Sequence, residues 1–439
     1  MTSALPSLRR AWAGLAILGF AALFAMVDRQ VLSLVAEPLR VTIGLNDTQL
    51  GVAQGVGLLF VAVIASFPIG WLSDRYDRRV VLAGCILVWA AATAACAAAR
   101  NFGSLLTACC GIGIGEAGLA PICYSLFPDM FSERARGFAN RVFITISVLG
   151  AAAGLAVGGA VLALAEHVQP GLPASLAGLA PWRLTLLGVA VPAPFLVAAL
   201  PLVKSRARLT APEATEDITR FHLQRFIRAN QRTVFCVYGA TACFCAALGC
   251  SLSWVPVMMI RSFGQSPVQA GTRLGLCVGL GSLTGLVLAT AITSMLRRRW
   301  RRSLPLRIAV SALAAAGLPT LLLGLVSSAG QAYFCIGSLF ACSLMANGEL
   351  AAVMQDMAPP SLRGRIVALG VMAGSGAQGL SPVLVGRLSD LLGHGPHGLR
   401  IAIVLCSTPL WAAASLLLGL AHSTLPEPTV AQHGIQGNA

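Results

Sequence analysis

The chain has 439 residues, of which 56% are hydrophobic and only 11% are charged, and its mean hydropathy is +0.79. Soluble domains carry about 25% charged residues, so this composition excludes a soluble globular protein and predicts an integral membrane protein. The net charge of +15 does not indicate nucleic-acid binding, because the basic residues are divided among many short segments between apolar runs.

Apolar runs that could cross a bilayer as helices recur along the whole sequence. A span needs about 20 residues, and twelve runs meet this length: 12–35, 48–72, 79–99, 103–127, 137–165, 182–203, 233–260, 270–296, 305–327, 331–356, 365–388 and 399–422. Backbone groups in lipid must bond internally, so the runs predict twelve transmembrane helices and an all-α fold. The first run is too long for the apolar part of a signal peptide, and we interpret it as a retained helix.

The distribution of basic residues predicts the orientation in the membrane. Of the 31 Lys and Arg residues, 23 lie before the first run, in the segments after every second run or within the first five residues of the run that follows such a segment, all on one side of a twelve-helix topology. Cytoplasmic segments carry such an excess of positive charge. We therefore expect both termini in the cytoplasm and a multi-pass protein of a bacterial inner membrane.

Acidic residues lie deep in the first and fourth runs. Asp28 follows Trp12 by 16 residues, and Glu116, within GIGIGEAG (111–118), precedes Asp129 by 13 residues. At 1.5 Å per residue, the two carboxylates lie about 24 and 20 Å from the predicted cytoplasmic face of a core about 30 Å thick. Carboxylates at this depth are costly and indicate a functional site. The G-x-G-x-x-G spacing in this stretch does not follow a strand, so we reject a dinucleotide site.

These residues predict a proton-coupling group made of Asp28, Arg29 and Glu116. Desolvation and a neighbouring guanidinium change the proton affinity of a carboxyl group in opposite directions, so opening a cavity to either side would load or release a proton. Two alternatives stay open: a buried ion cluster that only holds helices together, and direct contact with substrate. The predicted substrate contacts are Arg29, Glu116, Tyr124 and Glu349. For Glu349, which lies nearer the cytoplasmic end of its run, an equal alternative is that it reaches toward water.

Short motifs close several runs, most of them on the predicted cytoplasmic side, and some of them recur. GWLSDRYDRR (70–79) ends the second run, and its Gly70 is expected to permit close helix packing. RRRWRR (297–302), its counterpart, keeps only the charge. PDMFSERARG (128–137) and QDMAPPSLRG (355–364) follow the fourth and tenth runs, each with Arg-Gly seven and eight residues beyond Asp, and GRLSD (386–390) ends the eleventh. The predicted gating residues are Gly70, Asp74, Arg75, Arg78, Arg79, Asp129, Arg136, Asp356, Arg363 and Asp390.

The repeated motifs predict two six-helix halves. The expected divisions are an N-terminal tail (1–11), a first half (12–203), a central cytoplasmic segment (204–232), a second half (233–423) and a C-terminal tail (424–439). The central segment alternates arginines with apolar residues. This pattern is typical of an amphipathic helix on the membrane surface and is also compatible with a solvated linker.

The repeat and the motif at Gly70, Asp74, Arg75, Arg78 and Arg79 resemble the major facilitator superfamily and its G-x-x-x-D-R-x-x-R-R signature. Four further stretches are similar to the spinster-type group: AMVDRQVLSLVAEPLR (25–40), LNDTQLG (45–51), GIGIGEAGLAPICYSLFPDMFSERARG (111–137) and SPVLVGRLSD (381–390). The resemblance implies alternating access around a site between the halves. It also implies an amphipathic, lipid-like or hydrophobic anionic substrate, because characterised members carry lysolipids or sphingolipid phosphates, some with proton coupling.

Two departures from the related sequences bear on mechanism. The family usually has an arginine seven residues before the buried glutamate, and here that residue is Cys109, so Glu116 is expected to depend on Arg29 or coupling is weakened. The glycines of the fifth run partly resemble an exporter motif, but Leu155 replaces its proline. Their spacing favours close helix packing.

We therefore predict a proton-coupled secondary transporter and not an enzyme. The histidines lie mostly in loops and tails, and no nucleophile–base spacing is present. The expected partners are a small amphipathic substrate, protons and membrane lipid, with no nucleic acid, no cofactor and no metal, and the expected state is a monomer. The alternatives are a proton-linked organic-anion or drug carrier of the same fold and, in another class, a non-transporting membrane receptor or a lipid scramblase.

Overall fold

A computed structural model describes residues 7–171, 173, 178–204, 223–296, 304–357, 362–393 and 395–421. Within these ranges twelve helices are long and apolar enough to span a membrane, which confirms the twelve predicted spans and the all-α fold. They are α1 Leu8–Leu34, α2 Asp47–Arg75, α3 Arg78–Ala98, α4 Phe102–Met130, α5 Glu133–Val168, α6 Pro181–Leu202, α7 Gln231–Phe263, α8 Pro267–Leu296, α9 Leu304–Leu322, α10 Ala329–Asp356, α11 Arg363–Leu391 and α12 Pro396–Ala421.

The helices alternate in direction and form two six-helix halves. We call the face at which α1 begins and α12 ends the termini face, and the opposite face the distal face. The connection between α1 and α2 contains a short helix, Ala36–Ile43, at the distal face. The described parts of the arginine-rich connections lie at the termini face.

Local hydrogen bonds fix where several helices start. The Asn46 side chain accepts a hydrogen bond from the Gln49 backbone N–H (2.7 Å), and Gln49 Oε1 accepts one from the Asn46 N–H (3.1 Å). The same reciprocal arrangement, a capping box, starts α4 at Asn101 and α10 at Ser328. Because the first N–H groups of a helix have no partner within it, these side chains define the start of each span.

Glycines let the two halves touch along their distal parts. A Cβ added to Gly55 of α2 would lie 2.2 Å from the Gly379 carbonyl oxygen of α11, and one on Gly386 would lie 2.3 Å from the Asp47 carbonyl oxygen. On the other side of the molecule, a Cβ on Gly275 of α8 would lie 2.7 Å from the Ala156 nitrogen of α5. The α2–α11 and α5–α8 contacts form what we call the distal seal.

The glycines of the fifth run serve packing. Added Cβ atoms on Gly150 and Gly154 would meet Met26 of α1, and one on Gly159 would lie 3.0 Å from the Thr272 nitrogen of α8. This stripe therefore joins α5 both to its own half and to the second half.

At the termini face the halves are parted. The part of α2 nearer the termini face, Val61–Arg75, makes few contacts with α11. Its side chains Phe67 and Trp71 are more than half exposed. The close packing that we expected at Gly70 is absent in this conformation. A Cβ added there would have no described atom of another segment within 4 Å. The space between the halves therefore opens to this face.

The central segment is partly described. Residues 223–229 form a helix whose Leu223, Phe226 and Ile227 pack against the core of the second half. This packing differs from the expected placement on the membrane surface, because the apolar side chains face protein. The rest of the segment, the RRRWRR motif and residues 358–361 of the QDMAPPSLRG motif lie outside the described residues. The predicted domain divisions stay predictions.

The distal seal can be tested by adding one methyl group at Gly55. Gly55→Ala places a Cβ against backbone of α11, so we expect the distal faces of the two halves to move apart. The measurement is the distance between spin labels at Val41 and Leu325, exposed distal residues in different halves, in a cysteine-depleted background. Gly84→Ala, in α3 of the same half with free space around it, is the matched control and should leave the distance unchanged. Identical distances in both variants would contradict the seal.

Candidate functional site

A small polar cavity lies between the halves at the inner end of the distal seal. Its volume is about 150 Å³, and helices α1, α2, α5, α7 and α11 line it. Its polar lining residues are Arg29, Gln30, Ser33, Gln54, Ser253 and Gln378, and its apolar lining includes Met26, Leu32, Leu58, Leu59, Ala151 and Leu252. Arg29 is the charged residue in this lining, so the cavity suits an anionic group.

An ion pair lies beside this cavity. Nη2 of Arg29 contacts Oε2 of Glu116. The Arg29 side chain is 30% exposed and the Glu116 side chain only 3%. Arg29 therefore presents its guanidinium to the cavity, while Glu116 lies behind it and does not line the cavity.

Asp28 faces the opposite way, toward α3. It is buried, and its Oδ2 accepts hydrogen bonds from Trp89 Nε1 (2.6 Å) and Thr93 Oγ1 (2.8 Å). Among the described residues no salt bridge joins Asp28 to a basic side chain. The structure thus places the three predicted coupling residues close together, but as one ion pair and one separately hydrogen-bonded carboxyl group.

The glycines of GIGIGEAG explain how Glu116 reaches this position. Added Cβ atoms on Gly111 and Gly115 would lie 2.8 Å from Ala92 Cβ and 2.5 Å from the Trp89 nitrogen, both in α3. One on Gly113 would lie 2.4 Å from the Leu58 carbonyl oxygen of α2. Alternate glycines therefore pack α4 tightly against two neighbours, and the tight packing holds the carboxylate near α1.

Several atoms of this group have no hydrogen-bond partner in the described part of the chain. They are Asp28 Oδ1, Arg29 Nε and Glu116 Oε1, all buried. Buried polar atoms are normally paired, so unpaired acceptors on two buried carboxyl groups are suited to receiving protons or ligand atoms. Cys109, in place of the family's arginine, is fully buried against Gly57, which leaves Arg29 to pair with Glu116.

Tyr124 and Glu349, the other predicted substrate contacts, do not line this cavity. Tyr124 packs edge-on against Phe127 and Phe143, and Glu349 is half-buried in α10. Tyr124 lies eight residues, about 12 Å, nearer the termini face than Glu116. The predicted substrate residues therefore do not form a single site in this conformation.

Most predicted gating residues lie at the termini face. Nη1 of the buried Arg78 donates to the Ser125 carbonyl (2.7 Å) and to Asp129 Oδ2 (3.1 Å), which joins α3 to α4. Arg79 pairs with Asp77 (2.7 Å), and Arg75 stacks on Trp71 at 4.0 Å. The remaining residues here are Asp74, Asp356 and Arg363, which are exposed, and Arg136, which is half-buried.

Asp390 lies on the distal face, unlike the other predicted gating residues. Its carboxylate accepts hydrogen bonds from the Asp47 N–H (3.0 Å), the Thr48 N–H (2.8 Å) and Thr48 Oγ1 (2.5 Å). It therefore caps the first turn of α2 from the other half, where a negative charge is favoured by the helix dipole.

An ion-pair network that sequence reasoning missed surrounds this cap. Arg261 of α7 donates to Asp47 (2.7 Å) and Glu37 (2.6 Å) of the first half. Arg40 also pairs with Glu37 (2.9 Å), and Ser389 donates to Asp47 (2.7 Å). We call these residues, with Asp390 and Thr48, the distal network. The signal in the sequence was weak: charged residues beside span ends, without a recognisable spacing.

The network keeps its carboxylates charged. Burial of Glu37 disfavours its charged form, but hydrogen bonds from Arg40 and Arg261 and their positive charges outweigh this effect. They lower the pKa of Glu37 below its ordinary value of 4.5. Glu37 is therefore ionised at neutral pH and attracts Arg261 across the halves.

A polar cavity between two six-helix halves, sealed on one face and open on the other, defines an alternating-access membrane transporter. Residues 18–382 match the Major Facilitator Superfamily, and the chain belongs to this family. It is an integral multi-pass membrane transporter and not an enzyme.

Named relatives agree with this assignment. An MFS-type efflux pump of Mycolicibacterium smegmatis is 28% identical over 88% of this chain and 86% of its own length. A sphingosine-1-phosphate transporter of Xenopus tropicalis is 28% identical over 77% of this chain and 67% of its own length. A bacterial homologue of the human lysosomal transporter Spinster, solved inward-facing and unoccupied, shares the fold with a TM-score of 0.79 at 20% identity, covering 95% of this chain and 98% of its own. The resemblance to spinster-type proteins is confirmed.

Neutralising Arg261 tests the distal network. Arg261→Gln removes the cation that pairs with Asp47 and Glu37 across the halves, and breaking such a buried pair costs on the order of 3 kcal/mol. We expect the distance between spin labels at Val41 and Leu325 to lengthen. Arg273→Gln removes the same charge from an exposed distal residue that donates to Gln265 of its own half (3.0 Å) and should leave the distance unchanged. A network without a gating role would give equal distances in the two variants.

Proposed function

We propose that this protein carries an amphipathic, lipid-like or hydrophobic anion across the membrane and couples its movement to protons. One observation carries the proposal: the Arg29–Glu116 ion pair lies at the edge of a polar cavity between the halves. The pair gives the site one cation in the cavity lining and one buried carboxyl group beside it.

The cavity lining supports an anionic, amphipathic substrate. Arg29 can hold a carboxylate or phosphate oxygen, and the apolar lining residues offer contact to a hydrocarbon chain. The halves are parted at the termini face, which leaves room there for a long tail. The similarity to sphingosine-1-phosphate transporters of Xenopus tropicalis and Danio rerio supports the same class.

Competition for one guanidinium provides a coupling mechanism. An anion that binds Arg29 displaces Glu116, and a carboxylate left unpaired in a buried site gains affinity for a proton. When the anion leaves, Arg29 pairs again with Glu116 and favours loss of that proton. Substrate and proton are thus bound and released together.

We further propose that the termini face is cytoplasmic in a bacterial inner membrane, that the conformation is inward-facing, and that the protein acts as a monomer. The excess of basic residues in the segments of this face supports the orientation.

A second candidate is an efflux carrier for drugs or organic anions. The similarity to an MFS-type efflux pump along most of both chains favours it. Counterflow in proteoliposomes separates both carriers from the other class of alternatives, because a receptor gives no counterflow and a scramblase shows no saturable exchange.

Neutralising Glu116 tests proton coupling. Glu116→Gln keeps the side-chain shape and removes the titration, so proton-driven transport should fall at least tenfold while substrate–substrate exchange largely survives. Both modes are measured in proteoliposomes with and without a pH gradient. Glu166→Gln, at an exposed residue of α5, is the control and should keep both modes.

The same variant separates coupling from a purely structural ion pair. If Glu116 only balances Arg29, the substitution leaves a buried guanidinium unpaired, which is destabilising by about 3 to 5 kcal/mol. The melting temperature and exchange would then fall together. Driven transport that persists in a stable Glu116→Gln protein would rule out the coupling role.

Competition by candidate substrates tests the substrate class. Because the site combines one cation with apolar walls, we expect long-chain anionic amphiphiles to inhibit counterflow at concentrations at least tenfold lower than sugars or short hydrophilic acids. Strong inhibition by a sugar, with none by lysolipids, would reject the lipid-like substrate.

A further inference from the structure

Two glutamine amides from opposite halves line the cavity beside the distal seal. Gln54 belongs to α2 of the first half and Gln378 to α11 of the second, and both line the cavity that contains Arg29. We propose that these amides form a cross-half site for a hydroxyl-bearing head group, and that it is complete only while the distal seal is closed. This inference rests on the proposed anionic amphiphile and specifies its head group.

The position of Gln54 indicates a ligand. The residue is 6% exposed, and its Nε2 has no hydrogen-bond partner among the residues that the structure describes. Buried amide donors are normally paired. An unpaired donor on a residue that lines a polar cavity is therefore available to a group that enters this cavity.

Local helix geometry holds Gln54 in this place. Residues Ala53–Phe60 of α2 form a π-helix, which adds a residue to the turn and is frequent at functional sites. The adjacent Gly55 touches the Gly379 carbonyl of α11. The backbone beside Gln54 thus lies against the backbone beside Gln378.

Contacts within the second half hold Gln378 in place. A Cβ added to Gly249 of α7 would lie 3.0 Å from Gln378 Cγ, and the Gln378 carbonyl accepts a hydrogen bond from Ser381 Oγ (3.0 Å). Its side chain is therefore packed between α7 and α11, with the cavity beside it.

The combined chemistry selects a particular head group. Arg29 supplies a charge for a phosphate or carboxylate, while each amide offers both a donor and an acceptor. A hydroxyl group uses both functions, and an analogue without it leaves buried amide groups unpaired, which lowers affinity strongly. The site therefore favours an anion with a neighbouring hydroxyl over an anion alone.

The amides also link binding to the seal. Gly55 of α2 and Gly379 of α11 are in contact while the distal seal is closed. Opening the distal face parts these helices and separates the amides. A head group held by both amides binds the closed form better, so its binding stabilises the seal.

Paired probes test the site in the purified full-length protein. The probes are a lysophosphatidic acid and an alkyl phosphate of equal chain length, which differ in the hydroxyl-bearing glycerol. We expect wild-type protein to bind the hydroxyl-bearing probe at least tenfold more tightly. Gln54→Leu and Gln378→Leu, examined separately, should each reduce this ratio to about one while alkyl phosphate still binds. Gln355→Leu, at an exposed residue of α10, should keep the ratio.

A second readout follows the seal. The hydroxyl-bearing probe should narrow the distribution of distances between spin labels at Val41 and Leu325 in wild type and not in either Leu variant. An unchanged affinity ratio in both folded variants overturns the amide site and leaves the proposed substrate class intact. Failure of wild type to bind either probe overturns the lipid-like substrate, and the amide site with it. If Gln54→Leu does not fold, the result with Gln378→Leu decides.

Discussion

The close approach of backbone to backbone at the distal seal is the constraint on which the other features depend. Side chains cannot fit between Gly55 and the Gly379 carbonyl or between Gly386 and the Asp47 carbonyl, so the two halves meet there through main-chain atoms. A tightly packed interface of this kind either forms completely or separates, because it cannot deform gradually. The seal thus has two discrete states, and the polar cavity lies where its closed state ends.

The distal seal determines from which face an anion can reach the Arg29–Glu116 pair. A buried ion pair costs desolvation energy and is tolerated only while both partners remain. With Asp28 held by Trp89 and Thr93, Glu116 depends on Arg29, and an entering anion competes for the same guanidinium. The proposed coupling therefore needs no moving helix at the ion pair itself, only a cavity that lets the anion reach Arg29 from one face at a time.

The sequence allowed the twelve spans and the similar level of residues 28–29 and Glu116 on their helices to be predicted, because hydrophobic length and helix rise determine them. It did not predict that Asp28 faces Trp89, since this depends on how far α1 is rotated against α3. Nor did it predict the distal network: Arg261 meets Glu37 and Asp47 only after the halves pair, and single arginines in an arginine-rich chain carry little information. The expected packing at Gly70 failed because it requires the termini face to be closed.

The charged residues of the two faces make different kinds of contact. This difference indicates how the protein can change from one conformation to the other. On the distal face Arg261 and Asp390 reach across to the first half. On the termini face Arg78 pairs within its own half with Asp129, while Asp74, Asp356 and Arg363 are exposed. Opening the distal face costs the cross-half pairs, and this cost can be offset only by new contacts at the other face. When the cross-half contacts of the two faces differ in free energy by about a few kcal/mol, the binding of one anion and one proton is sufficient to change which face is closed.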